Sequence, residues 1–346
     1  MLAFLRRRWF LAAITLVILS GVLLGYHEPA ENLLWLKQFI RPSWLTAIVL
    51  FLMSLSLNSE HLLTSIRKPA PLCLSLATNI ILLPLLAWAL LPLQLTPDFQ
   101  VGLIIMAVVP CTLCGASVWT RRAAGNDGLS LMVTMITNGA CFLTIPFWIL
   151  LITAREIEFN QVEMITKLFY AAMLPVVIGQ AFRLNTRMKT FADRITSRLG
   201  TVALIFVLLM VLLAAVQTGQ GIKTSETGIS FAAIVIVWTS CTIVHVTGFF
   251  SNMFLAKTFR FHPRDQIAGA IAGSQKTLPI AIFVATDASM FGNAGMPSAV
   301  FPLLMFHTSQ FFIDTIFADR HREKYNALEE TENSDQEAPT RSACEQ

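Results

Sequence analysis

The stretch AGSQKTLP, residues 272–279, places polar residues in the middle of an apolar segment. The apolar runs IAGAI and IAIFVA flank it. A lysine at the centre of a bilayer costs about 3 kcal/mol on the insertion scale, and a proline interrupts a helix. Lys276 and Pro279 are therefore expected only where protein or a water-filled cavity, and not lipid, surrounds the chain.

The composition is typical of a protein that crosses a membrane several times. Hydrophobic residues make up 55% of the 346 residues and charged residues 13%, about half the charged share of a soluble domain. A helix needs ~20 largely apolar residues to cross ~30 Å of hydrocarbon. The sequence therefore predicts an all-α polytopic membrane protein with ten transmembrane helices. These spans lie at about residues 9–26, 43–59, 70–95, 101–120, 128–153, 161–182, 199–217, 229–256, 265–285 and 297–318.

The charges between the spans predict the orientation. With a cytoplasmic N-terminus, eighteen basic residues fall on the cytoplasmic side and four on the other, at Lys37, Arg41, Arg155 and Lys223. This asymmetry follows the positive-inside rule and predicts that both termini are cytoplasmic. The net charge of +4 then reflects topology and indicates no nucleic-acid partner. Short loops without an organellar targeting segment favour a bacterial inner membrane.

The two ends of the chain receive different predictions. The apolar run of residues 9–26 is longer than a signal-peptide core, and no small-x-small cleavage site follows it, so we expect a retained span. Residues 323–346 are polar and acidic, which predicts a disordered cytoplasmic tail. The longest cytoplasmic connection is predicted at residues 183–198.

Ten spans divide into two halves of five, and an odd number per half gives the halves opposite orientations, as in an inverted repeat. Span four carries Pro110 and Gly115 near its middle, and span nine carries Gly273 and Pro279. Interrupted segments at corresponding places in two halves point to the midplane site of a transporter. There, half-helix N-termini favour an anion and unwound carbonyls a cation.

Kinking alone would account for span four, but span nine also carries a polar and an ionisable residue. Lys276 lies about twelve residues from Arg264, too far from the span end for its amine to reach the interface. An ionisable residue inside a span indicates function by default. We therefore expect Gln275 and Lys276 to belong to a binding site.

Five motifs along the chain resemble one family of transporters. They are FLMSLSLNSEHL, VPCTLCGASVWTRRAAGND, LPVVIGQAFR, GSQKTLPIAI and FPLLMFHTSQ, in spans two, four, six, nine and ten. In this order and placement they resemble the bile acid:sodium symporter superfamily (solute carrier family 10), in particular its SBF-like branch, close to the seventh member of that carrier family. The resemblance covers about residues 8–322.

The resemblance implies a fold of two intertwined inverted repeats, about 8–153 and 161–318, within a membrane domain of residues 1–322. Spans one, two, six and seven would form a panel domain, and spans three to five and eight to ten a core domain. Spans four and nine would be broken and cross each other. It also implies transport by alternating access, with sodium coupling and organic-anion substrates.

The resemblance also implies ion-binding residues. Relatives bind sodium with a serine and a threonine four residues apart in span five, and with a glutamine in span three and another in span nine. The matching residues here, with Ser117 near the polar ligands of span four, are Ser130, Thr134, Asn79 and Gln275. Sodium is the only ion or cofactor that the resemblance implies.

Two positions depart from the sodium-binding pattern. Ile271 stands where those relatives carry a glutamate, and Lys276 where they carry an asparagine. Two sodium ions beside an ammonium in a low dielectric would be poorly compensated. We therefore expect Lys276 to supply the positive charge and to bind an anionic group of the substrate, helped by the half-helix that begins near Thr277. Its proton is a second candidate for the coupling ion.

Other polar residues complete the candidate site. His307 and Gln310 share one face of span ten and either line the cavity, relay a proton or bond a neighbouring helix. The substrate-binding candidates are thus Lys276, Gln275, Thr277, His307 and Gln310. His245 is predicted to bond another helix, and Asp314 to pair with a basic residue of a loop.

These observations predict a secondary active transporter of a small organic anion, symporter-like and coupled to sodium or to protons. Paired carboxylates, histidine clusters and nucleophile motifs are lacking in and beside the spans, which argues against an enzyme. No acidic or carbonyl ring of a channel filter is visible. The alternative is a non-transporting membrane regulator of ion homeostasis. The predicted partners are the substrate and the lipid bilayer, and the oligomeric state stays open.

Overall fold

The computed structural model describes residues 9–28, 41–57, 69–153, 160–224, 230–287 and 297–342. Within these residues the secondary structure is helical, without strands. Twelve helices follow one another: α1 Trp9–His27, α2 Pro42–Ser56, α3 Pro69–Leu93, α4 Pro97–Val108, α5 Gly115–Arg122, α6 Asp127–Thr153, α7 Gln161–Leu184, α8 Thr186–Thr224, α9 Phe231–Thr258, α10 Pro263–Ser274, α11 Leu278–Thr286 and α12 Val300–Ser342.

Seven segments are long and apolar enough to cross a membrane, and they coincide with predicted spans three and five to ten. Three shorter apolar helices, Ala13–His27, Pro42–Ser56 and Pro97–Val108, coincide with spans one and two and the first half of span four. The protein is therefore an integral membrane protein built of helices. The total of ten spans stays a prediction.

Both predicted helix breaks are present. Helix α4 ends at Val108, and α5 begins at Gly115. Helix α10 ends at Ser274, and α11 begins at Leu278. The prolines explain the breaks, because Pro110 cannot continue α4 and the second residue of α11 is a proline, which is tolerated only in the first turn.

The segment Pro263–Thr286, which contains the second break, has no lipid-facing side. Its most apolar stretch of 18 residues is entirely buried within the protein. Helices α3, α5, α6 and α9 pack around α10, whereas α2, α4, α8 and α12 pack around α11. Because protein surrounds this segment completely, irregular backbone and polar side chains are tolerated there.

The helices pack in two groups. Helices α1, α2, α7 and α8 pack on one another and form the four-helix group. The remaining helices, α3 to α6 and α9 to α12, form the eight-helix group around the two breaks. The groups meet along a seam where α2 and α8 contact α11, and also where α7 packs against α6.

One segment differs from the sequence-based expectations. Residues 183–198, predicted as a loop, are almost entirely helical: α7 runs to Leu184 and α8 starts at Thr186. Asn185 separates them, and its side-chain oxygen accepts hydrogen bonds from the backbone N–H groups of Arg187 and Met188, which caps α8. The last helix extends to Ser342; the disorder predicted for residues 323–346 stays a prediction.

Candidate functional site

The two helix breaks lie against each other. The backbone N–H of Thr277 donates to the carbonyl of Pro110 at 2.9 Å, and the Thr112 hydroxyl donates to Oε1 of Gln275 at 2.5 Å. Gly115 leaves room for this contact, because a Cβ there would lie 2.8 Å from the Thr112 hydroxyl and 3.3 Å from Gln275 Oε1. The contact between the breaks therefore involves both backbone and side chains.

The ammonium of Lys276 is enclosed by three oxygen atoms at this contact. Its Nζ donates to the Asn79 carbonyl at 2.7 Å, to Asn79 Oδ1 at 3.1 Å and to the Val109 carbonyl at 2.8 Å. The side chain is 0% exposed. A lysine ammonium has three N–H donors, so its hydrogen-bonding capacity is complete.

The Asn79 carbonyl is available to Lys276 because of a local irregularity in α3. Residues Thr78–Leu82 form a π-helical turn, in which the N–H of Leu83 bonds to the Thr78 carbonyl instead of the Asn79 carbonyl. The next residue, Pro84, has no N–H to offer. Single π-turns inside α-helices are frequent at functional sites, and this one supplies an oxygen to the Lys276 ammonium.

Asn79 also ties α3 to the second break. Its Nδ2 lies within hydrogen-bonding distance of the carbonyls of Ala272, Gly273 and Gln275, at 3.4, 3.2 and 3.0 Å. The predicted ion-binding residue is thus engaged with the backbone of the break and with Lys276. All three N–H groups of the Lys276 ammonium are bonded to oxygens of the protein. The ammonium therefore contributes positive charge to the site but has no N–H left to donate to a ligand.

Gln310 holds the backbone of the break from α12. Its Oε1 accepts from the N–H of Lys276 at 2.7 Å, and its Nε2 donates to the Lys276 carbonyl at 3.4 Å. Among the three expectations for Gln310 and His307, bonding to a neighbouring element is what the structure shows for Gln310. His307 is 4% exposed, and its Nδ1 has no hydrogen-bond partner among the described residues.

Ser130 and Thr134 lie on the face of α6 that meets the first break. The Thr134 hydroxyl lies 3.3 Å from the Thr112 carbonyl and 3.5 Å from Cys111 Sγ. The Ser130 hydroxyl is buried and finds no partner among the described residues. Ser117 is engaged elsewhere, with the carboxylate of Asp127. The hydroxyl oxygens of Ser130 and Thr134 and the carbonyl oxygen of Thr112 are ligands of the type that sodium takes.

Asp314 is a site residue that the sequence reasoning placed wrongly. It is fully buried and does not pair with a basic loop residue, because its Oδ2 accepts from Gln275 Nε2 at 2.6 Å. Its spacing from Gln310 and His307 along one face of α12 could have placed it at the break. His245 bonds other helices, as predicted, with Nε2 3.2 Å from Asp314 Oδ1 and Nδ1 3.2 Å from the Ser274 carbonyl.

Two cavities lie at opposite ends of the seam between the helix groups. The first, which we call the break cavity, has a volume of about 270 Å³ and is lined by both breaks, Met53, His307 and residues of α8. The second, the ion-pair cavity, has a volume of about 540 Å³ and is lined by the first turn of α2, by α7 and by the C-terminal end of α11. Along α11 the two linings are four residues apart, from Pro279 to Phe283, or about 6 Å.

A salt bridge joins the two groups at the ion-pair cavity. Lys167 Nζ on α7 lies 2.9 Å from Asp287 Oδ1, directly after α11, and 3.1 Å from Glu163 Oε1. Among the ion pairs that the structure describes, Lys167–Asp287 is the one that crosses from the four-helix group to the eight-helix group. This salt bridge links the two helix groups at the end of the seam that lies away from the breaks.

Comparison with known proteins gives one family along nearly the whole chain. A family model described as the SBF-like CPA transporter family matches residues 8–323. Similar curated proteins include the probable sodium/metabolite cotransporter BASS4, chloroplastic, of Arabidopsis thaliana, 26% identical over 88% of this chain and 71% of the relative. The uncharacterized sodium-dependent transporter YocS of Bacillus subtilis is 23% identical over 82% and 84%. The sodium/bile acid cotransporter 7-A of Xenopus laevis is 22% identical over 90% and 91%.

Proposed function

This chain belongs to the SBF-like CPA transporter family, and from that premise we propose that it is a secondary active transporter of a small organic anion. The family is one of transporters and not of enzymes. The transport mode that we propose is symport by alternating access, with sodium or protons as the coupling ion. The site is the contact between the two breaks together with the break cavity.

The observation that supports an anionic substrate is the buried Lys276 ammonium beside that cavity. Its three acceptors are neutral oxygens, so none of these direct contacts neutralises its charge, and the carboxylate of Asp314 is bonded to Gln275 instead. The N-termini of α5 and α11, at Gly115 and Leu278, line the break cavity as well, and each adds partial positive charge. An anion that enters the cavity therefore meets a positive potential in a low dielectric.

We further propose the ten-span topology with two inverted repeats, the four-helix group being the panel domain and the eight-helix group the core domain. A corresponding pair of contacts supports the repeats. In the first turn of α4, Asp98 accepts from the N–H of Ser298, just before α12, at 3.2 Å. In the first turn of α10, Asp265 accepts from Asn126, just before α6, at 2.6 Å. The positive-inside asymmetry supports cytoplasmic termini, and the short predicted loops support the proposal of a bacterial inner membrane.

Two sites remain candidates for the coupling ion. Sodium would bind at Ser130, Thr134 and the Thr112 carbonyl: the Thr134 hydroxyl lies 3.3 Å from that carbonyl, and the Ser130 hydroxyl, one helical turn away, has no partner among the described residues. A proton would be carried by Lys276. The names of several relatives mention sodium, which favours the first site as a starting hypothesis.

Reconstituted protein tests this function. Uptake into liposomes and thermal unfolding are measured against a panel of small organic anions, with sodium and pH varied independently. We expect at least one anion to be taken up and to stabilise the protein, and Lys276→Gln to lose both effects while remaining folded. If no anion stabilises or crosses with the wild-type protein, the anion-transporter function is wrong and the non-transporting regulator is favoured.

A further inference from the structure

The side chain of Gln275 joins the first break to α12. Its Oε1 accepts from the Thr112 hydroxyl, and that hydroxyl in turn accepts from the backbone N–H of Ala116 in the first turn of α5, at 2.9 Å. On the other side, Gln275 Nε2 donates to Asp314 Oδ2 at 2.6 Å. An ionised carboxylate only accepts hydrogen bonds, so Asp314 selects the orientation in which the amide oxygen faces Thr112.

His245 holds the carboxylate in place from α9. Its Nδ1 faces the Ser274 carbonyl, which can only accept, so Nδ1 carries a proton. Nε2 and Asp314 Oδ1, 3.2 Å apart, then bond through one further proton between them. Both side chains are 0% exposed, and Phe249 and Phe306 lie beside the imidazole, with ring centroids 6.4 and 5.7 Å away.

We infer that Asp314, held by His245, is a positioning residue that fixes the Gln275 amide so that its oxygen reaches the first break. Both oxygens of Asp314 are engaged, one with Gln275 and the other with His245, and the side chain is 0% exposed and does not line the break cavity. Its carboxylate therefore acts through Gln275 and not by binding substrate or ion. With the amide turned over, Nε2 would face the Ala116-bonded hydroxyl and Oε1 would face the carboxylate, which is repulsive.

Two substitutions separate positioning from charge. In Asp314→Asn the amide oxygen can still accept from Gln275, and the amide nitrogen can donate to His245 Nε2, so both contacts persist without the negative charge. Asp314→Leu removes both contacts. If Asp314 only positions Gln275, D314N should resemble the wild type in the effect of T112V on stability and in anion uptake, and D314L should not.

A stability cycle tests the orientation without any transport measurement. Thr112→Val removes the contact to Gln275 and is combined with the wild type, D314N and D314L. We expect T112V to lower the unfolding temperature by roughly 2 °C in the wild type and in D314N. In D314L the decrease should be smaller, because Gln275 is no longer aimed at Thr112 and T112V then removes only the contact to the Ala116 N–H. An equal decrease in all three backgrounds would overturn the inference.

The consequence for transport rests on the proposed function. With an anion that the wild type takes up, we expect D314N to retain uptake within about threefold and D314L to lose about tenfold or more. In a Gln275→Leu background, D314L should have almost no additional effect. Loss of uptake in both D314N and D314L would show that the carboxylate itself is used, and full uptake in D314L would show that it is dispensable. If the wild type transports no anion, the proposed function fails, and the stability cycle still decides the role of Asp314.

Discussion

A lysine ammonium enclosed by three oxygens of its own protein is equivalent, in charge and in ligand type, to a bound monovalent cation. Lys276 has this arrangement, with two oxygens from Asn79 and one from Val109. The sequence predicted a functional lysine at this break from its place in an apolar segment. It could not predict the partners, because the Asn79 carbonyl is free only through the π-helical turn and the missing N–H of Pro84.

Replacing Lys276 by alanine should convert this internal cation into a binding site for an external one. The substitution leaves three buried oxygens without a donor, so we expect a loss of stability of about 2 kcal/mol or more. Sodium or potassium chloride should restore part of it by occupying the vacated space. Thermal unfolding at constant ionic strength, with choline chloride as the reference salt, measures the effect. A salt response in K276A no larger than that of the wild type would contradict the equivalence.

Ser130 and Thr134 give a separate prediction for sodium. Because the Ser130 hydroxyl is buried without a partner among the described residues, Ser130→Ala should cost little stability in the absence of sodium. The double variant S130A/T134V should lose any stabilisation by sodium that the wild type shows. Ser117→Ala is the comparison variant, since Ser117 bonds Asp127 instead. If S130A/T134V keeps the sodium response, these hydroxyls serve packing only.

At the scale of the helices, apolar length and prolines predicted the positions of the long helices and of both breaks. The prediction failed at residues 183–198, where the cluster of basic residues indicated a loop. Neither proline nor glycine interrupts the helices there, and Asn185 alone separates α7 from α8. They also failed for Asp314, because a charge near a predicted span end was assigned to the loops. Its burial depends on how α12 packs against the break, and tertiary packing cannot be read from one segment.

Close helix packing gives a prediction at this scale. A Cβ at Gly25 on α1 would lie 2.0 Å from the backbone oxygen of Val216 on α8. Gly25→Val should therefore separate these helices and lower stability by about 2 kcal/mol or more. Gly139 is the matched control, because a Cβ there meets nothing within 4 Å, and Gly139→Ala should be neutral or stabilising by up to ~1 kcal/mol. Unfolding by denaturant or heat compares the two. A G25V protein as stable as G139A would show that α1 and α8 are not held so closely.

At the scale of the molecule, the seam between the two helix groups has a cavity at each end. The break cavity reaches Thr277 and Pro279 at the start of α11, and the ion-pair cavity reaches Asp287 directly after its end. Between them, Thr46 on α2 contacts the Pro279 carbonyl at 3.4 Å and is 0% exposed. The alternating access that we propose would require the seam to open at one end while it closes at the other. The Lys167–Asp287 salt bridge would then be the contact that breaks when the ion-pair cavity opens towards the site.

Charge reversal of this salt bridge tests the opening. Partly exposed ion pairs contribute about 1 kcal/mol or less, so Lys167→Glu should leave the fold stable but favour the open seam several-fold. A cysteine at Thr46, in a background without the native cysteines, should then react faster with a membrane-impermeant thiol reagent applied from the ion-pair side. The double variant K167E/D287K should restore slow labelling. The control pair is Arg122–Asp319, 2.5 Å apart, which lies within the eight-helix group, so Arg122→Glu should leave the labelling of position 46 unchanged. Equal labelling in K167E and R122E would show that the Lys167–Asp287 salt bridge does not hold the seam.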